Sequence, residues 1–177
     1  MWKRLLLAVV IIGAVVSALA LMQPDTFRIE RTALIKAPPE RVFAYLNDFR
    51  QWPAWSPWER FDPAMQRAYS GAASGTGAIY TWSGNEDVGQ GRMEIVESTP
   101  PSTVGIRLDF VQPFESHNQV RFVLTPRPEG TAVSWSMSGN RPFVMKLVEV
   151  FTSVEDMAGP DFEQGLAQLK EAAEAPR

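Results

Sequence analysis

The chain of 177 residues has no cysteine and a single histidine, His117. Without cysteine there are no disulfides and no thiolate metal sites. With one histidine there is no histidine cluster to hold a metal, and any Ser-His-Asp arrangement has to use His117. It lies in "ESHNQ", residues 115–119, among polar residues at a strand start, and reads as a solvated turn histidine. Positive charge is also scarce: Lys+Arg number 17 against 20 Asp+Glu, a formal net charge of −3. The arginines are scattered without a basic stripe, so no nucleic acid is expected as a partner. Gly71, Gly75 and Gly77, and Gly84, Gly89 and Gly91, lack the lysine and the strand-to-helix setting of a phosphate loop. They read as turn and bulge glycines. Internal repeats and low-complexity segments are lacking too. No cofactor and no metal are expected, and nothing in the sequence sets an oligomeric state.

What is present begins with an apolar run. Met1-Trp2-Lys3-Arg4 precedes residues 5–22, which carry no charge and only Ser17 as a polar side chain. Such a run is long enough to cross a bilayer, and Lys3 and Arg4 keep its start in the cytoplasm. Ala18-Leu19-Ala20 also has the form of a signal-peptidase site. The run continues through Leu21 and Met22, with no polar stretch before that site, which favours an uncleaved anchor over a secreted product. Residues 1–26 are therefore expected to form a membrane anchor and linker. Residues 27–177 are expected to form a domain facing the periplasm or cell exterior.

Residues 27–36, "FRIERTALIK", alternate as a strand, with Arg31 on the parity of Ile29 and Ala33. Pro38 and Pro39 suit a helix start, and Val42, Phe43 and Leu46 make its apolar stripe. "QWPAWSPWERFDP", residues 51–63, then spaces Trp52, Trp55 and Trp58 three apart among prolines. Ser56-Pro57-Trp58-Glu59 has the form of a capping box, with Ser56 as N-cap and Glu59 reaching back. Trp52 is expected as a core plug, and Trp55 and Trp58 as mouth or lid residues.

From residue 67 to 138 alternation dominates. It places Tyr80 and Trp82, Met93 and Ile95, Phe110, Phe122, Trp135 and Met137 on the inward parity of successive strands, with turn signals between them. An antiparallel meander covered on one face is the expected result. The carboxylates Glu94 and Asp109 take outward parity, and Glu97, Glu115 and Arg121 are likewise given no role in a site. Residues 142–151 and 161–174 read as helices, with Gly159-Pro160 as a break or a new start.

This order of elements resembles the SRPBCC superfamily, also called START-like or Bet v 1-like helix-grip, including its polyketide cyclase/dehydrase group. The likeness rests on "IKAPPERVFAYLND", "WPAWSPWERFDP", "YTWSGN" with "VGQGRMEI", and the closing "DFEQGLAQLK", across about residues 27–174. It implies an α+β fold: an antiparallel sheet curved around a long C-terminal helix, with two short helices after the first strand. It also implies a hydrophobic cavity between sheet and helix, and brings no shared catalytic motif. The expected function is non-catalytic binding of a hydrophobic small molecule or lipid, with a cyclase/dehydrase-like enzyme or an envelope protein-interaction module as alternatives. The expected cavity residues are Tyr80, Trp82, Phe110, Phe122, Trp135 and Met137, with Trp55 and Trp58 at the mouth and Arg31 as a candidate anchor for an anionic group.

Overall fold

A computed structural model describes residues 2–113 and 115–176. Helix α1 (Trp2–Met22) is 21 residues long, apolar from Leu5 onward, and exposed along nearly its whole length; only Ala20 is buried. Strand β1 (Thr26–Ile35) follows, then helix α2 (Pro39–Leu46), a 3-10 turn (Phe49–Ala54) and helix α3 (Trp58–Phe61). Strands β2 (Gln66–Gly71), β3 (Ala78–Ser83), β4 (Gln90–Thr99), β5 (Thr103–Gln112), β6 (Ser116–Arg127) and β7 (Gly130–Asn140) come next. Helices α4 (Phe143–Val148) and α5 (Val154–Glu174) close the chain.

The strands form one antiparallel sheet in the order β1-β7-β6-β5-β4-β3-β2. Alternation dictates its two faces. On β6, Asn118, Val120, Phe122 and Leu124 are buried while Gln119, Arg121 and Val123 are exposed. The outer face is laced with ion pairs such as Glu94–Arg107 (3.0 Å) and Glu97–Arg121 (2.8 Å). The inner face is covered by α5, whose Phe162, Leu166, Leu169 and Ala173 are buried at helical spacing. Gly165 sets how near the helix comes: a Cβ there would stand 2.7 Å from Cζ3 of Trp135.

Two expectations about the helices change. Helix α5 runs unbroken through Gly159-Pro160, because it begins earlier. Ser153 and Asp156 form a capping box there: Ser153 Oγ accepts from the Asp156 N–H at 3.0 Å. The expected box at Ser56–Glu59 does not form. Pro57 is the N-cap of α3 without a side-chain bond, because the Glu59 carboxylate is engaged elsewhere.

Candidate functional site

The sheet and α5 do not close completely on each other. Between them lies a cavity of about 200 Å3. Its sheet wall is Tyr80 and Trp82 of β3, Phe110 of β5, and Trp135 and Met137 of β7. Helix α5 contributes Ala158, Asp161 and Phe162, and α3 contributes Trp58 and Glu59. At roughly 30 Å3 per water-sized group, that space takes about seven such groups, the size of a short acyl chain or a fused ring pair. A wider, shallower and more polar depression between α2 and the end of α5 lacks this aromatic wall.

The wall is made rigid by ring contacts. Trp135 stacks on Phe162 with centroids 4.2 Å apart, and Trp58 meets both rings edge-on at 5.8 and 6.2 Å. Tyr80 stacks on Trp82 at 5.9 Å, and Phe110 meets Trp82 edge-on at 5.6 Å. Edge-on and offset pairs of this kind are the favoured geometries of aromatic packing.

Polar groups in this wall are few and specific. The Glu59 side chain is only 6% exposed. Its Oε1 accepts from the Tyr80 hydroxyl at 2.8 Å, and its Oε2 accepts from Arg67 Nε at 2.6 Å. Burial, and then the bond to Glu59, push the Tyr80 phenol far up, so it stays a hydrogen-bond donor at any physiological pH. The Asp161 carboxyl is raised by burial. Trp135 Nε1 is buried and has no hydrogen-bond partner among the described residues, unlike Trp82 Nε1, which donates to the Val88 carbonyl at 2.9 Å.

Six of the nine expected site residues line this cavity: Tyr80, Trp82, Phe110, Trp135, Met137 and Trp58. Three do not. Trp55 is fully buried behind the wall, where its Nε1 donates to the Tyr45 carbonyl at 3.2 Å and its ring packs edge-on against Phe122 and Trp135. With its one polar atom satisfied, the indole buries entirely, so Trp55 is a core residue rather than a lid. Phe122 is fully buried in the same aromatic layer. Arg31 does sit where α5 crosses β1, but its guanidinium bonds Glu155 and Glu163, both at 2.8 Å, across Gly159 of that helix. The helix already supplies the anions that Arg31 was expected to take from a ligand.

Trp52 is 4% exposed, as expected of a plug, and also borders the cavity. Sequence reasoning gave Glu59 only a capping role and missed Arg67 altogether. Their only signal was a carboxylate and a guanidinium flanking a stretch that ends beside the strand of Tyr80. His117 is exposed, with Nδ1 2.7 Å from Asp109 Oδ1. It has no contact with the cavity.

The family described as polyketide cyclase / dehydrase and lipid transport matches residues 26–174. Among solved structures, a protein of Chromobacterium violaceum is similar, with a TM-score of 0.61 at 18% identity, covering 87% of this chain and 100% of its own. The Aha1 dimer of Colwellia psychrerythraea reaches a TM-score of 0.60 at 19% identity, covering 84% of this chain and 96% of that one. The di-domain ARO/CYC BexL of the BE-7585A biosynthetic pathway reaches 0.62 at 15% identity, covering 90% of this chain and 54% of its own. At these identities the likeness is one of fold. No curated protein matches the chain.

Proposed function

The chain belongs to the polyketide cyclase / dehydrase and lipid transport family; on that premise we propose that it is a membrane-tethered extracytoplasmic domain that holds a hydrophobic small molecule or lipid in its cavity without transforming it. The observation that carries this reading is the cavity itself, a void of about 200 Å3 walled almost wholly by aromatic and aliphatic side chains. Sites for apolar ligands have this make-up: mostly hydrophobic lining with a few fixed polar groups. Apolar burial at about 25 cal/mol per Å2 holds such a ligand without an ionic anchor.

The tether is supported by α1, long and apolar enough to cross a bilayer, and by Lys3 and Arg4 ahead of it, which favour a cytoplasmic N-terminus. The non-catalytic role is supported by the state of the polar groups. Glu59 is committed to Tyr80 and Arg67, so it is not a free base, and the Tyr80 phenol is too weakly acidic to give up its proton. A cyclase-like enzyme remains the second reading: there the single Tyr80 O–H at the cavity wall, held by Glu59 in this structure, would have to turn to a ligand carbonyl to polarise it.

The test is uptake of 1-aminonaphthalene, a fused ring pair of the cavity's size, by the full chain in nanodiscs, read as energy transfer from tryptophan. Uptake is expected, and Ala158→Trp, which fills the cavity from α5, is expected to abolish it. A wild-type chain that takes up no probe, or an Ala158→Trp chain that takes it up undiminished, overturns the reading. Turnover of a polyketide-like substrate that is lost in Tyr80→Phe favours the enzyme.

A further inference from the structure

The register of the sheet fixes which end of the domain is which. Thr26 pairs with Asn140, Asn118 with Gly139, Phe110 with Ser116, Gln112 with Gln90, and Gln90 with Ser83. These residues therefore lie along one edge, the edge at which α1 meets the domain through residues 23–25. The cavity belongs to that end: Trp82, Phe110 and Met137 stand within a few residues of it, as does the first part of α5 through Ala158. The opposite half is filled, with Ile35, Val104 and Val133 fully buried.

The same end carries apolar surface that the cavity does not explain. Phe143, Val144, Val148 and Phe151 recur at helical spacing on and just after α4. They are 44, 65, 49 and 79% exposed, and Met157 in α5 is 47% exposed. This apolar side thus points outward rather than into the core. The charged groups beside it are engaged within the fold. Lys146 is buried and donates to the Gln23 carbonyl at 3.0 Å and to Asp25 Oδ1 at 2.6 Å. The Arg141 N–H donates to the Asp25 carbonyl at 2.7 Å, and Arg141 Nε lies 3.1 Å from Glu149. Glu155 pairs with Arg31, and Asp156 bonds Ser153. Helix α4 is thereby clamped to the foot of α1, a helix of membrane-spanning length.

We propose that this face, formed by α4 and the start of α5, is seated in the interface of the bilayer that α1 crosses, so that the cavity opens toward the membrane and takes its ligand from the lipid phase. The inference rests on the cavity reading above for its ligand, and on α1 remaining attached. Its occupant is a bilayer recognised by apolar area. Because the charged side chains of α4 and of the first turn of α5 are already partnered in the fold, anionic headgroups are not required. Amphipathic segments of this kind bury their apolar side at the boundary of headgroups and acyl chains.

The cysteine-free chain makes the test direct. Single-cysteine variants Val144→Cys and Phe151→Cys, with Glu129→Cys in the turn at the opposite edge as control, carry a bimane label in the full chain in phosphatidylcholine nanodiscs. Quenching by brominated phosphatidylcholine is expected to be several-fold stronger at 144 and 151 than at 129, with protection from iodide at those two sites alone. The same pattern is expected when anionic phosphatidylglycerol is omitted or added. Labels at 144 and 151 as open to iodide as that at 129 overturn the docking, and so does quenching that appears only with the anionic lipid. Uptake of 1-aminonaphthalene in the same nanodiscs separates the two claims. Labels in lipid without uptake sustain docking and sink the cavity reading, whereas uptake with labels in water sinks docking alone.

Discussion

Replacing Tyr80 by phenylalanine removes one oxygen and keeps the ring. The Tyr80 hydroxyl donates at 2.8 Å to a Glu59 carboxylate whose side chain is only 6% exposed. A hydrogen bond to a charged group is worth about 1.5–3 kcal/mol, and stranding a buried acceptor forfeits that amount in full. Arg67 still bonds the other carboxylate oxygen at 2.6 Å, so the charge stays paired and the cost falls at the lower end, about 2 kcal/mol. In a domain of this size 1 kcal/mol moves the midpoint by about 2–4 °C, so Tyr80→Phe is expected to melt about 4–8 °C lower. The assay is thermal unfolding of the full chain in mild detergent, followed by tryptophan emission. Repeating it in a Glu59→Gln background is expected to shrink the loss, since the acceptor no longer carries charge. There is also a signature in pH. The Tyr80 phenol is raised in the folded state, so the unfolded chain ionises first and stability falls as pH climbs past the ordinary tyrosine range. Tyr80→Phe is expected to flatten that alkaline fall. A variant that melts within about 1 °C of wild type, with the alkaline limb unchanged, would refute a dry, bonded Glu59–Tyr80 pair.

Two further expectations concern carboxylates. Burial raises Asp161, and no cation pairs with it among the described residues. Its ionisation therefore opposes folding above the usual carboxylate range, and Asp161→Asn is expected to stabilise the domain at pH 7 and to lose that advantage in acid, as measured by urea unfolding at both pH values. The His117 imidazole is raised by its bond to Asp109. The C2 proton of His117 in NMR is expected to titrate above the ordinary imidazole value, and to return to it in Asp109→Asn without any change in ligand uptake.

The fold was largely legible because alternation is a local signal. Val120, Phe122 and Leu124 against Gln119, Arg121 and Val123 state the inner and outer faces of β6 without reference to any other strand. Most of the cavity wall followed from the same parity. What was not legible depended on partners distant in sequence. Glu59 looked like half of a capping box because Ser56 stands three residues before it, yet Tyr80 and Arg67 offered that carboxylate charged and phenolic donors in a buried setting. Trp55 looked like a lid because its segment joins the first helix to the sheet at the expected cavity mouth, yet a single carbonyl, that of Tyr45, satisfied its indole and allowed full burial. Gly159-Pro160 looked like a helix break, yet the Ser153–Asp156 capping box started α5 upstream, and the missing Cβ of Gly159 left room for Arg31. Nor does sequence spacing say which side of an amphipathic stripe meets protein: Val144, Val148 and Phe151 face outward, and only the position of α1 indicates toward what.

The most direct measurement is native mass spectrometry of the full chain released from its own membrane, beside the Ala158→Trp chain prepared identically. Occupancy of the cavity predicts wild-type protein carrying an apolar adduct small enough for about 200 Å3, and Ala158→Trp protein at its bare mass. Wild-type protein at bare mass, or the same adduct on both chains, would contradict it.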